Sequence, residues 1–149
     1  MKYNLVFLLS FSVMHIAMAG EVALLLPNDP NEADYTANIV SIFARKGVLD
    51  TELLKIEFNG ANDREILARS LRYAAIKAPI VFLPFGPSTD ATCSIMANES
   101  GVVFVVVPGN DARQLNPSEA PSCMAKNILF VGALDQKTDV LTNFSNWGV

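Results

Sequence analysis

Gly101-Val102-Val103-Phe104-Val105-Val106-Val107-Pro108-Gly109-Asn110 places an unbroken run of branched and aromatic residues between a glycine and a Pro-Gly turn. A strand with one wet face alternates apolar and polar residues. A run that is apolar at every position reads as a strand buried on both faces, as in a parallel sheet. The same pattern recurs upstream and downstream. Val22-Ala-Leu-Leu-Leu26 is apolar throughout and is broken by Pro27-Asn28-Asp29-Pro30. Leu53 to Phe58 alternates, Ile80 to Leu83 is short and apolar, and Ile128 to Gly132 forms a fifth candidate strand before the Asp135-Gln136-Lys137 turn. Helical spacing fills the gaps. From Ala33 to Lys46 the apolar residues Ile39, Val40, Ile42 and Phe43 fall on one side, and Gly47 is placed to stop the helix. Asn62 is a candidate cap for a helix whose Leu67, Leu71, Ala74, Ala75 and Ala78 share one face, and Pro79 ends it. Ser88 to Ser100 predicts a third helix with Ser88 as its cap. Strand and helix alternate, so the expected class is α/β: one doubly wound, mostly parallel sheet with helices on both faces. In such folds ligands sit at the carboxyl ends of the strands. Pro27-Asn28-Asp29, Pro84-Phe85-Gly86 and Pro108-Gly109-Asn110 all fall there.

The chain has 149 residues, of which 51% are hydrophobic and 17% charged, with a formal net charge of −4. That is enough apolar content for one core and too short a chain for two. The mild acidity argues against nucleic acid as a partner, because phosphate binding needs a basic face. Lys2, the apolar run Leu5 to Phe11, and Ala17-Met18-Ala19 before Gly20 form a secretory signal peptide over residues 1–19, with cleavage after Ala19. A membrane anchor is the competing interpretation, but the apolar core falls short of the about 20 residues a spanning helix needs. The expected product is a 20–149 domain, secreted or periplasmic, with no membrane segment after cleavage. Loss of Lys2 leaves 10 basic and 15 acidic residues, a net charge of −5. Cys93 and Cys123 are the two cysteines, and two alternatives stand: one disulfide in an oxidising compartment, or two buried thiols. With no Cys-x-x-Cys, a zinc ribbon or a thioredoxin-type site is unsupported, and neither a metal nor a cofactor is expected.

The single histidine, His15, lies inside the signal peptide, so residues 20–149 contain none. That excludes a Ser-His-Asp triad, a Cys-His dyad and histidine-ligated zinc within them. No Gly-x-Ser-x-Gly elbow, Walker loop or Gly-x-Gly-x-x-Gly occurs either. The nearest carboxylate cluster, Asp29, Glu32 and Asp34, reads as a solvated loop that favours the dipole of the following helix.

From Gly101 onward the chain resembles the subtilisin-like serine peptidases, the subtilases. Three blocks carry the resemblance in order: Gly101 to Asn110 for the valine-rich strand ending in Ala-Gly-Asn, Ile128-Leu-Phe-Val-Gly-Ala-Leu-Asp135 for the Val-Gly-Ala-x-Asp strand, and Asn143-Phe-Ser-Asn-Trp-Gly148 for the Phe-Ser-Asn-Tyr-Gly-like segment. Pro121 lies in the connecting loop. In the first half the match is looser. It puts Leu26 where the family has its catalytic aspartate, and Asp34, in Asp34-Tyr35-Thr36, where it has the histidine. Pro84-Phe85-Gly86-Pro87 resembles the Ser-Leu-Gly segment whose backbone lies along bound substrate, making Phe85 and Gly86 substrate-binding candidates. By resemblance Asn110 is the oxyanion-hole asparagine, a role worth about 3–4 kcal/mol to the transition state in the subtilisin example. Its ordinary alternative is a Gly-Asn turn.

The resemblance further implies an incomplete subtilisin-like fold that stops at Val149, before the Gly-Thr-Ser-Met-Ala motif of the nucleophile and the helix that follows it. An uncovered sheet face would then favour self-association or a covering partner. The implied function is a secreted subtilase homologue without activity that binds an extended peptide or a protein, by strand addition near Phe85 and Gly86. Two other classes compete. One is a periplasmic small-molecule-binding α/β protein, since Val22 to Pro27 also resembles the opening strand of that group. The other is an active serine peptidase with an unrecognised site, for instance with Asp34 as base in the manner of the related sedolisins. A gene remnant without function is the remaining alternative.

Overall fold

A computed structural model describes residues 22–28, 38–42, 45, 53–59, 64–85, 89–118 and 121–148. Five strands, β1 (Val22–Pro27), β2 (Leu53–Phe58), β3 (Ile80–Leu83), β4 (Val103–Val106) and β5 (Ile128–Phe130), form one sheet in the order β2-β1-β3-β4-β5. Every neighbouring pair is parallel: Val22 lies opposite Leu53 and Ile80, Ile80 opposite Val103, and Phe104 opposite Ile128. Parallel strands need crossovers; helices lie in the first three, and among the described residues the β4 to β5 connection carries only the 3-10 turn Pro121–Met124. Helix α1 is helical at residues 38–42 and 45, α2 spans Arg64–Lys77 and α3 spans Asp90–Asn98.

The two faces of the sheet bury different residues. Ala23, Leu25, Val81, Leu83, Phe104, Val106 and Ile128 pack with Leu67, Leu71 and Ala74 of α2 and Cys93 and Met96 of α3. On the opposite face Val22, Leu24, Leu26, Phe82 and Val105 pack with Ile39 and Val40 of α1. The period of two along each strand sends adjacent side chains into opposite layers. That explains why Leu24, Leu25 and Leu26 in succession are all essentially inaccessible to solvent. Burying each contributes roughly 2 kcal/mol. The doubly wound α/β class therefore stands.

β2 is an edge strand and exposes Lys55 and Glu57, charges that discourage further pairing. β5 is the other edge. There Leu129, opposite Val105, is 47% exposed, and Val103, two residues before Val105 on β4, is 39% exposed, on the α1 side of the sheet. Among the described residues, no helix is long and apolar enough to cross a membrane.

Element ends differ from expectation in three places. Helix α3 is capped by Thr89 rather than Ser88: its hydroxyl accepts from the Thr92 N–H at 3.4 Å, and the helix begins one turn position later. Val102 leaves the ladder because its N–H turns back to the Glu99 carbonyl at 3.0 Å, so β4 begins at Val103. β5 ends at Phe130, because the chain turns into the 133–142 hairpin directly afterwards. Asn62, the candidate cap of α2, lies outside the described residues.

Candidate functional site

The carboxyl ends of β1, β3 and β4 carry the candidate residues, and the loop after β4 is the best defined. Its entry is fixed by the sheet, since the Val107 N–H donates to the Leu83 carbonyl at 3.2 Å. Pro108 is buried, and Gly109 adopts φ +105°, a left-handed conformation open to glycine at little cost. Asn110 follows at the exposed tip, and its side chain has no hydrogen-bond partner among the described residues. Ala112 also lies at positive φ, +52°, which costs a non-glycine residue energy and marks a loop held by its surroundings.

The hold comes from the Phe-Ser-Asn block. Asn146 is 1% exposed, and its amide spans the loop from both sides. Its Oδ1 accepts from the Asp111 N–H at 2.9 Å and the Arg113 N–H at 3.2 Å. Its Nδ2 donates to the Pro108 carbonyl at 3.0 Å and to Asp111 Oδ2 at 3.2 Å. The Asn146 backbone N–H donates to the Gly109 carbonyl at 3.0 Å. A Cβ on residue 109 would stand 2.7 Å from Asn146 Nδ2, so glycine is required there for space as well as for φ. Beside it, the Ser145 hydroxyl accepts from the Ala133 N–H and donates to the Asn146 carbonyl, tying the clasp to the segment after β5. Further out, Leu115 N–H donates to the Trp147 carbonyl and Trp147 N–H to the Arg113 carbonyl. Buried polar groups this fully paired rigidify a loop.

The other sequence candidates fall differently. Leu26 is buried at 1% exposure in the apolar layer with Ile39 and Phe82. Phe85 is half-buried and turned into the core, its ring centroid 5.6 Å from that of Phe58 in a tilted pair. What it offers a ligand is therefore backbone rather than ring. Asp34 and Gly86 lie outside the described residues. Cys93 and Cys123 are joined by a disulfide with Cα atoms 4.8 Å apart, linking α3 to the 3-10 turn Pro121–Met124. The same junction is reinforced by Asp90, whose Oδ1 accepts from the Ser122 N–H at 2.8 Å.

Four residues have structural roles here that the sequence did not assign to them. Asn146 and Ser145 were visible only as part of the Phe-Ser-Asn block. Asn127 donates its amide to the carbonyls of Met96, Glu99 and Val102, and so closes the end of α3 onto the start of β4. Asp135 organises the hairpin that follows β5. Its carboxylate accepts from the Lys137 and Thr138 N–H groups and the Thr138 hydroxyl, and these hydrogen bonds hold its pKa below the ordinary value of 3.8.

The order β2-β1-β3-β4-β5 also defines a topological switch point between β1 and β3. In doubly wound sheets the crevice at such a point is the usual ligand site. Here that point lies between the strand ends Pro27-Asn28 and Pro84-Phe85, and Asn28 Nδ2 donates to Asn59 Oδ1 at 3.0 Å on its β2 side.

A stretch of 55 residues, 35% of the chain, is 42% identical to part of the subtilase-type proteinase RRT12 of Saccharomyces cerevisiae. The chain spans about 10% of the length of that relative. No protein-family model matches the chain, and no solved structure matches it. The similarity supports a distant, partial subtilase-like relationship.

Proposed function

We propose that this chain is an exported subtilase homologue that does not hydrolyse peptide bonds and that holds an extended peptide at the carboxyl end of its sheet. The observation that carries the assignment is the clasped Pro108–Arg113 loop, which presents the Asn110 side chain to solvent from a rigid base. A preset amide donor suits a peptide carbonyl and requires no reordering on binding. The lack of turnover follows from the residues around it. The chain has an imidazole only at His15, and Leu26 offers no carboxylate to orient one. A polarised carbonyl with no activated nucleophile and no base within hydrogen-bond reach is bound but not cleaved.

Trp147 is the only tryptophan, is 44% exposed, and is bonded to the same loop, so its emission reports occupancy. Titration with the tetrapeptide amide Ala-Ala-Pro-Phe should give a saturable change that Asn110→Ala weakens by tenfold or more. A fluorophosphonate probe should label no serine. Casein hydrolysis sensitive to a serine-directed inhibitor overturns the proposed inactivity, and an emission change indifferent to Asn110→Ala overturns the assigned site.

The switch point between β1 and β3 favours a second assignment, a small-molecule site at Asn28 and the Pro84-Phe85 turn. Thermal stabilisation by a small metabolite that persists in Asn110→Ala and is lost in Asn28→Ala supports that alternative over peptide binding.

A further inference from the structure

The outer face of α2 departs from the rest of the molecule in charge and in exposure. Helix Arg64–Lys77 carries Arg64, Arg69, Arg72 and Lys77 against the single carboxylate of Glu65, in a chain whose formal net charge is −4. Its inner face is spent on the core through Leu67, Leu71 and Ala74. Residues 65, 69, 72, 73 and 76 then form one outward stripe, because positions three and four apart stack along a helix. Toward the C-terminal end of that stripe Ile76 is 79% exposed and Tyr73 is 51% exposed. Lys77 Nζ stands 5.5 Å from the Tyr73 ring centroid, over its face. Arg69 pairs with Glu65 at 2.8 Å; among the described residues no carboxylate pairs with Arg64, Arg72 or Lys77.

Neither helix stability nor solubility explains this arrangement. An exposed isoleucine has a lower helix propensity than alanine or lysine and gains nothing from water. Arg72 and Lys77 do not complete ion pairs within the helix. An apolar pair framed by uncompensated cations is instead the composition of a contact surface, where tyrosine and arginine anchor and the surrounding charge selects the partner.

The geometry points to this stripe as the docking surface for an acidic peptide segment that brings at least one apolar side chain to Ile76 and Tyr73 and carboxylates to Arg72 and Lys77. A short segment fits the dimensions. The helix has 14 residues and is about 21 Å long, which six or seven residues of extended peptide can follow. A nucleic acid fits less well, since an exposed apolar pair stands among the cations and the chain as a whole is acidic. An anionic bilayer fits less well for a similar reason. It would face the net-negative molecule across a wide plane and gain only two inserted side chains. A peptide touches the basic stripe alone. The surface is formed by the outer side of α2, and the proposal does not depend on the Asn110 loop or on the peptide assigned to it.

The test uses the full chain and a fluorescein-labelled twelve-residue peptide of three Glu-Asp-Leu-Phe repeats, read by polarisation at 50 and 300 mM salt. Binding should weaken several-fold at the higher salt, because the Debye length shortens from above 10 Å to below 8 Å. Arg72→Glu with Lys77→Glu should abolish it, and Ile76→Ala should weaken it by about fivefold or more. These side chains are exposed, so the melting temperature should hold within a few degrees, which separates loss of the surface from loss of the fold. Binding unchanged in the charge-reversed variant overturns the proposal, as does no binding below millimolar peptide. Two further outcomes reassign the surface and also overturn it: preferential sedimentation with phosphatidylserine vesicles, or tighter binding of a single-stranded oligonucleotide. Retained binding in Asn110→Ala is expected, since the two surfaces are separate.

Discussion

Asn146→Ala removes the side chain that joins both arms of the loop behind Asn110, and the expected loss follows from its four hydrogen bonds. The Asp111 and Arg113 N–H groups belong to exposed residues, so water can replace Oδ1 there, and each bond contributes roughly 0.5–1.5 kcal/mol net. The Pro108 carbonyl is different, because Pro108 is buried, and leaving that acceptor unpaired costs about 1–3 kcal/mol. Together these give a destabilisation of about 2–6 kcal/mol, a large share of the about 5–15 kcal/mol that a domain typically has. Urea denaturation of both proteins measures it. Hydrogen exchange at Asp111 and Arg113 localises it. A loss under about 1 kcal/mol with unchanged exchange at those two amides would mean that the loop is fixed by its backbone alone, and the clasp would be refuted. Asn146→Asp gives an independent check with a sign. The introduced carboxyl keeps the acceptor but stands beside Asp111 Oδ2, 3.2 Å from the atom it replaces. Burial and the like charge raise its folded pKa above the unfolded value. Its contribution is then present in full below the unfolded pKa, where a protonated oxygen can still donate, and is lost as pH rises through the folded pKa. The variant should approach the parent near pH 4 and fall well below it near pH 7.

Three further perturbations test other parts of the fold. Reduction, or Cys93→Ser with Cys123→Ser, should cost about 3–4 kcal/mol for a closure of 30 residues; a urea midpoint indifferent to reductant would refute that contribution. Gly109→Ala should cost about 1–3 kcal/mol, because φ is +105° and the new methyl meets Asn146 Nδ2. In an Asn146→Ala background the steric part disappears, so a double-mutant cycle should show coupling, and strict additivity would sink the close-approach explanation. Asp135 should titrate below 3.8 by carbon-detected NMR, with turn protection at Lys137 and Thr138 present above the unfolded carboxylate pKa and lost as pH falls through the folded one. A midpoint at or above 3.8 counts against the turn bonds as its cause.

Much of the scaffold was legible in the sequence because burial and period encode it directly. β2 and β3 were predicted at their observed bounds, and the buried face of α2 follows the Leu67, Leu71, Ala74 spacing. The sites of disagreement are those decided by a single local bond. Thr89 and Ser88 are chemically equivalent as caps, and only the backbone path selects Thr89. The pairing of Cys93 with Cys123 depends on a Cα separation that sequence spacing does not encode. The clasp was hidden for another reason. Asn146 and Asp111 are 35 positions apart, and an asparagine near a glycine has the same local signature whether it makes a turn or bridges two distant loops. At Phe85 the resemblance concerned the backbone of its segment, and the packing of the ring against Phe58 was not legible in the sequence.

Leu26 and Asn110 lie at the carboxyl ends of β1 and β4, with β3 between them, yet they are constrained by different physics. Asn110 rides on a loop whose backbone is held by Asn146, so its side chain can change without disturbing anything that folds. Leu26 is itself part of the fold, enclosed with Leu24, Ile39, Phe82 and Val105 in the layer between the sheet and α1. A carboxylate introduced there would be desolvated among the hydrocarbon of that layer. It would take up a proton and stay neutral rather than serve as an anion beside an imidazole. The proposed inactivity therefore has a structural depth that one reverting substitution does not undo. On the proposed reading, the position assigned to orient a base is core, whereas the position assigned to hold a carbonyl is a surface donor on a rigid mount.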